Sequence, residues 1–205
     1  MITFLHTSAA NVSRFDDLIK KYDSGIEVRH IVNEDLLRTA LHTGKADEST
    51  FRAEVERAKT SASGLIVCTC SSYGDACDTL PGVERIDRPV VAYLVQRYSH
   101  IGLAYTAGST WEASKRLVLS EAEKIGKKVE VIRFDFTACW KNFEAGNFEA
   151  YERGIAELIK ADDSEAEAIF LAQASMQNAK SYLEDYEKEV LASPEFGVRV
   201  YLNRL

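Results

Sequence analysis

The stretch Leu65-Ile66-Val67-Cys68-Thr69-Cys70-Ser71-Ser72-Tyr73-Gly74 constrains this chain more than any other. Its first half is an unbroken run of apolar and β-branched residues, the pattern of a strand buried on both faces. Its second half turns to small polar residues that open a helix-like segment, where unpaired backbone N–H groups can hold an anion. Cys70 therefore falls at a strand's carboxyl end and a helix's amino end. That place predicts a thiol pKa below the free value of about 8.5. Cys68 and Cys77 read as small buried hydrophobes, as most free cysteines are.

The rest of the chain alternates strands with helices. Strands are predicted at Ile2–Leu5, Ile26–Val32 and Val83–Asp87, with helices over Val12–Ile19, Leu36–Leu41, Phe51–Ala58 and Pro89–Tyr98. The first of these helices should end near Asp23-Ser24-Gly25. The pattern then restarts with a strand at Ile101–Tyr105, a polar loop Thr106-Ala107-Gly108-Ser109-Thr110 and a helix to Gly126. Further strands are predicted at Lys128–Phe134 and Ala168–Ala172, with helices at Thr137–Ala145 and Phe148–Lys160 between them. After Met176, Ala179, Tyr182, Leu183 and Tyr186 share one helical face, so a long helix is expected until Pro194 stops it.

Such alternation implies parallel sheets. The expected fold is α/β with two pseudo-symmetric lobes, each a mainly parallel sheet flanked by helices in a flavodoxin-like or Rossmann-like manner. Residues 1–97 would form the first lobe and 98–190 the second, with 191–205 a tail packed back on the body. A polar loop after each lobe's first strand (Thr7-Ser8, then Thr106 to Thr110) and a turn after a later one (Cys70 to Ser72, then Ala174 to Met176) would face each other. In open α/β sheets ligands bind beyond the carboxyl ends of the strands, so the site belongs in the cleft between the lobes.

Composition narrows the partners. The formal net charge of −7 argues against nucleic acid or an anionic membrane surface, but not against a small anion held by local donors. Met1–His6 lacks the basic and apolar regions of a signal peptide, and no apolar run approaches the ~20 residues of a membrane helix. A cytoplasmic protein with four reduced cysteines is expected. Cys68-Thr69-Cys70 has no second Cys/His cluster at zinc spacing, so no metal is predicted.

Thr69-Cys70-Ser71-Ser72, the Thr106-to-Thr110 loop and Leu171-Ala172-Gln173-Ala174-Ser175-Met176, in this order, resemble the aspartate/glutamate racemase superfamily, which includes hydantoin racemases, maleate isomerases and arylmalonate decarboxylases. The resemblance covers nearly the whole chain. It implies two pseudo-symmetric lobes, no cofactor, a small carboxylate or dicarboxylate substrate and a homodimer. It also implies a cysteine from each lobe on opposite faces of the substrate's α-carbon. Cys70 matches the first. Ser71, Ser72, Thr106, Ser109, Thr110, Ser175 and Met176 match residues that surround the substrate, and Thr7, from the first-lobe loop, and Ala174 complete the expected substrate-binding set. The second cysteine is missing: Ala174 stands there, or Gln173 if the register shifts by one. Two-base racemisation needs an acid–base group on each face, which a methyl group cannot supply. His6, near the cleft in this arrangement, is a candidate replacement; otherwise it is a strand-end residue bonded to backbone.

Three readings follow. The first is a cofactor-independent isomerase or decarboxylase-like lyase with one catalytic thiol, Cys70, drawing on oxyanion stabilisation and one-face proton transfer. The second is a non-catalytic carboxylate-binding protein on the racemase fold. The third, a thiol redox pair of Cys70 with Cys77, is disfavoured, since seven helical residues put the thiols two turns apart.

Overall fold

The computed structural model describes residues 1–23, 25–59 and 64–205. Strand β1 (Ile2–His6) lies between β2 (Val28–Val32) and β3 (Leu65–Cys68), and β4 (Glu84–Arg85) follows on the far side of β3. The second half repeats this order: β5 (His100–Tyr105) lies between β6 (Glu130–Asp135) and β7 (Ala168–Leu171), with β8 (Glu189–Ala192) beyond β7. Every pairing in both sheets is parallel. The central strands are buried along almost their whole length, which is why their sequences run apolar without alternation.

In the first lobe, α2 (Glu34–Thr43) and α3 (Glu48–Ala58) cover one face, packing Leu36, Phe51 and Val55 on Leu5, Ile66 and Cys68. Helix α1 (Ala10–Tyr22) covers the other, with Phe15 4.7 Å from Phe4 between ring centroids. Burial of each such side chain contributes about 1.5–3 kcal/mol. The second lobe is built alike. α6 (Trp111–Lys124) lies on one face, and α8 (Phe148–Lys160) with its inward Tyr151, Ile155 and Ile159 on the other.

The remaining covering helices are exchanged. α5 (Arg88–Arg97) leaves β4 of the first sheet but packs Val90, Val91, Leu94 and Val95 on Ile101, Leu103 and Phe170 of the second. α9 (Ser193–Leu202) leaves β8 of the second sheet but packs Val198 and Tyr201 on Phe4, Phe15 and Val67 of the first. Tyr201 also donates to the carbonyl of Arg85, 2.7 Å away. Gly197 lets α9 approach the chain at Ile86, whose carbonyl a side chain at this position would strike. Pro89 and Pro194 each sit in the first turn of these helices, where a missing N–H costs nothing.

Two expectations need correction. Ala179 and Leu183 are buried in the second core as their spacing requires, but no long helix follows Met176. Ala174–Tyr182 is a 3₁₀ run, and Glu189–Ala192 then forms β8, pairing Phe170 with Leu191. Pro194 starts a helix rather than stopping one. In the first lobe, the strand predicted at Val83–Asp87 shortens to Glu84–Arg85. The predicted end of the first helix includes Ser24, which lies outside the described residues; α1 ends at Tyr22.

Candidate active site

Leu5 pairs with Cys68 and Ala104 with Leu171, so the loops that leave β1 and β3 meet in one lobe as those that leave β5 and β7 meet in the other. Between them is a cleft lined by Thr7, Thr69, Cys70, Ser72, Thr110, Gln173, Ala174 and Ser175, with Leu37, Trp140 and Phe143 at its apolar side. Its volume is about 40 Å³. That admits a few water molecules and is far below the roughly 300–1,000 Å³ of a typical ligand pocket. The lobes are closed on each other: Ser72 Oγ lies 2.8 Å from Ser109 Oγ, and the Ser71 hydroxyl donates to the carbonyl of Ala172.

Cys70 has extended backbone (φ −104°, ψ 115°) and precedes a 3₁₀ turn, Ser71–Tyr73, that runs on into α4 (Gly74–Asp78). The Thr7 hydroxyl and the N–H groups of Ser72 and Tyr73 lie beside its thiol, the Tyr73 N–H donating to the Cys70 carbonyl at 3.2 Å. These donors favour a thiolate, as the sequence led one to expect, but burial and the neighbouring Cys68 outweigh them and push the thiol up to about 12. At neutral pH Cys70 is a protonated thiol. The lowered pKa predicted from its place at a helix start is therefore corrected.

Gln173 has the same place in the second lobe. Its backbone is extended (φ −114°, ψ 141°), it precedes the 3₁₀ run Ala174–Tyr182, and its carbonyl accepts from the N–H of Met176 as that of Cys70 accepts from Tyr73. Thr106, the counterpart of Thr7, donates to Gln173 Oε1 at 3.1 Å through its hydroxyl and at 2.6 Å through its N–H, and the Ala107 N–H donates at 2.9 Å. Two backbone donors on Oε1 fix the amide's orientation, so Nε2 is the free end, a donor without a partner among the described residues. By sheet register Gln173 is the second-lobe equivalent of Cys70, and both Gln173 and Ala174 line the cleft. Ala174 lines the cleft one residue on and also packs into the first lobe's core with Phe4 and Phe15.

Other predicted residues fall into two groups. Thr7, Ser71, Ser72, Thr110 and Ser175 line the cleft. Thr106 and Met176 are fully buried behind it, and Ser109 meets it only through Ser72. His6 does not line the cleft: its ring is buried with Nδ1 2.8 Å from Thr69 Oγ1 and Nε2 2.8 Å from His30 Nδ1. Burial, and then the charge of His30, lower its pKa to about 3. With both nitrogens bonded it cannot replace a second thiol directly.

Sequence reasoning missed Tyr151, whose buried hydroxyl lies 2.8 Å from Thr106 Oγ1 and 2.9 Å from Ser175 Oγ. It also missed Trp140 and Phe143, stacked 4.7 Å apart at the cleft. Tyr151 looks like any inward residue of an amphipathic helix, and only tertiary contact reveals its role. Among the described residues no cluster of three or more His, Cys, Asp or Glu is placed to hold a metal. Nor is any helix long and apolar enough to cross a membrane.

Two matched parallel sheets with covering helices and a polar cleft between the lobes form a two-lobed α/β fold of the kind seen in solved racemases. The chain superimposes on glutamate racemase RacE1 from Bacillus anthracis with TM-score 0.74 at 11% identity, covering 99% of this chain and 80% of that one. Aspartate racemase from Picrophilus torridus gives TM-score 0.74 at 12% identity, covering 98% and 93%. Allantoin racemase from Pseudomonas fluorescens gives 0.60 at 12%, covering 98% and 89%. No family model matches the sequence, and no curated protein is significantly similar to it.

Proposed function

We propose that this chain is a cofactor-independent isomerase or lyase acting on a small carboxylate, with Cys70 as its one acid–base group in the cleft. The observation that carries this reading is the asymmetry between equivalent positions. Cys70 holds an exchangeable proton, whereas Gln173 holds an amide pinned by Thr106 and Ala107. The two racemases named for glutamate and aspartate support a dicarboxylate-sized ligand.

In this reading the lobes part to admit the substrate. The hydroxyls of Ser72, Thr110 and Ser175 take its carboxylate, and charge developing toward an enediolate is spread over those donors. Cys70 gives its proton to one face of the α-carbon. The thiolate left behind is held by the Thr7 hydroxyl and the N–H groups of Ser72 and Tyr73. Gln173 Nε2 adds a hydrogen-bond donor from the other lobe but no proton. One-face chemistry of this kind suits decarboxylation of a substituted malonate, or isomerisation in which a proton enters on one side. The same asymmetry favours a second reading, a carboxylate-binding protein without turnover.

Incubation in deuterated water with substituted malonates and unsaturated carboxylates, followed by proton NMR, separates the two. A catalyst incorporates one deuterium stereospecifically and loses this in Cys70→Ser. Binding of a carboxylate with no incorporation selects the second reading.

A further inference from the structure

The first lobe contains a chain of hydrogen bonds from its surface to the cleft that neither reading uses. Asp16 Oδ1 is 3.1 Å from His30 Nε2, and His30 Nδ1 is 2.8 Å from His6 Nε2. His6 Nδ1 is 2.8 Å from Thr69 Oγ1, itself 3.1 Å from the carbonyl of Leu5. The Asp16 side chain is 40% exposed, and Thr69 lines the cleft beside Cys70. Among the described residues, Asp16 on α1 and His6 on β1 are the titratable groups in contact with His30. The rings of Phe4 and Phe15 pack against the imidazole pair.

An ionised carboxylate only accepts, so His30 Nε2 carries hydrogen. Two proton arrangements then satisfy every bond. With His30 neutral, Thr69 donates to His6 Nδ1 and His6 Nε2–H donates to His30 Nδ1. With His30 protonated, its Nδ1–H donates to His6 Nε2, and His6 Nδ1–H donates to Thr69 Oγ1. The Thr69 hydroxyl then turns to the Leu5 carbonyl or into the cleft. His6 is neutral in both, consistent with its depressed pKa.

We propose that Asp16, His30, His6 and Thr69 form a proton relay between the surface and the cleft. A proton entering at Thr69 Oγ1 displaces the hydroxyl's own proton to His6 Nδ1. The Nε2 proton of His6 passes to His30 Nδ1, and the charge rests on His30 beside Asp16. The reverse sequence delivers a proton to the cleft. The sequence takes up one proton and stores it on His30. It is released by loss of the His30 Nε2 proton beside Asp16 to solvent or by the reverse sequence, and no bond other than those to hydrogen changes. His6, His30 and Asp16 are positioning residues that act on the site through Thr69. The relay does not require the protein to be a catalyst, so its failure and that of the carboxylate reading are separate.

Nitrogen-15 NMR of the histidine rings in the full chain, titrated between about pH 5 and 9, tests the relay. His30 gains a proton as pH falls, and at the same midpoint His6 changes from the Nε2–H to the Nδ1–H tautomer while staying neutral. Thr69→Val removes the acceptor for His6 Nδ1–H and moves that midpoint down, and Thr69→Ser restores it. A His6 tautomer that stays fixed while His30 titrates overturns the relay. So does a Thr69→Val protein, folded by its NMR spectrum, whose His30 titrates as in the wild type.

Discussion

Thr106 donates to Gln173 Oε1 through its hydroxyl at 3.1 Å, whereas its counterpart Thr7 lines the cleft beside the thiol of Cys70. The same pair of positions thus carries a carboxamide in one lobe and a thiol in the other, and the two ends of the cleft differ in chemistry while sharing one scaffold. Gln173→Cys is the substitution that restores symmetry. It is expected to exchange both faces of a substrate that the wild type exchanges on one, detected as loss of enantiomeric purity by chiral chromatography. Ala174→Cys, one residue further on, does not do this. The exchange depends on Cys70. Gln173→Cys also leaves the N–H groups of Thr106 and Ala107 short of an acceptor, at a cost of about 1–3 kcal/mol in denaturant unfolding.

The thiol and the buried imidazole set opposite pH limits. Unfolded, Cys70 releases its proton above about 8.5, but folded it holds it to about 12. The unfolded chain is favoured as pH rises through that window, and stability falls. His6 behaves in the reverse sense. Unfolded it binds a proton below about 6.5, whereas the folded ring stays neutral to about 3. Stability therefore falls as pH drops from 6.5 toward 3, by at most about 1.4 kcal/mol per pH unit from this group. Thermal melts across pH should show a shallower alkaline decline in Cys70→Ser and a shallower acid decline in His6→Gln. Alkylation of Cys70 should accelerate beyond pH 10; a plateau below pH 9 contradicts the protonated thiol.

Tyr151→Phe and Tyr186→Phe delete the same atom in different settings. The Tyr151 hydroxyl joins Thr106 to Ser175, whereas that of Tyr186 is buried without a partner among the described residues. Loss of the first is expected to cost about 1–3 kcal/mol, and loss of the second nothing or less than nothing. Paired urea titrations decide it.

Arg85 is buried, with Nε 2.7 Å and Nη2 2.9 Å from the two oxygens of Asp87 and Nη1 3.0 Å from Asp78. Its guanidinium lies directly against Gly74, where a side chain would collide with it. Arg85→Met strands the buried carboxylate of Asp87 and is expected to destabilise by about 3–5 kcal/mol; Arg85→Met/Asp87→Leu recovers much of that loss. A double mutant no more stable than the single one contradicts the argument.

The sequence disclosed what local chemistry decides. Leu65–Cys68 declared a buried strand through its apolar run, and Ser71–Ser72 declared a polar turn. Glu189–Ala192 did not declare a strand, because it follows Tyr186-Glu187-Lys188 and owes its form to pairing with Ala168–Leu171. The position of Gln173 was hidden for a related reason. It follows from Ala104 pairing with Leu171, a relationship between distant segments. The Cys70 thiol was misjudged because a helix start is visible in sequence, whereas burial beside Cys68 is not. The Asp16–His30–His6–Thr69 chain joins three elements and the turn after β3, so no motif carries it.

The exchange of α5 and α9 makes each half of the molecule a hostage of the other. Expressed alone, residues 1–97 lack the helix that covers Phe4, Phe15 and Val67, and residues 98–205 lack the one that covers Ile101, Leu103 and Phe170. Each half expressed alone is expected to expose that part of its core to solvent. Any parting of the lobes has therefore to be reached while Val198 and Tyr201 stay seated in one half and Val90 and Leu94 in the other.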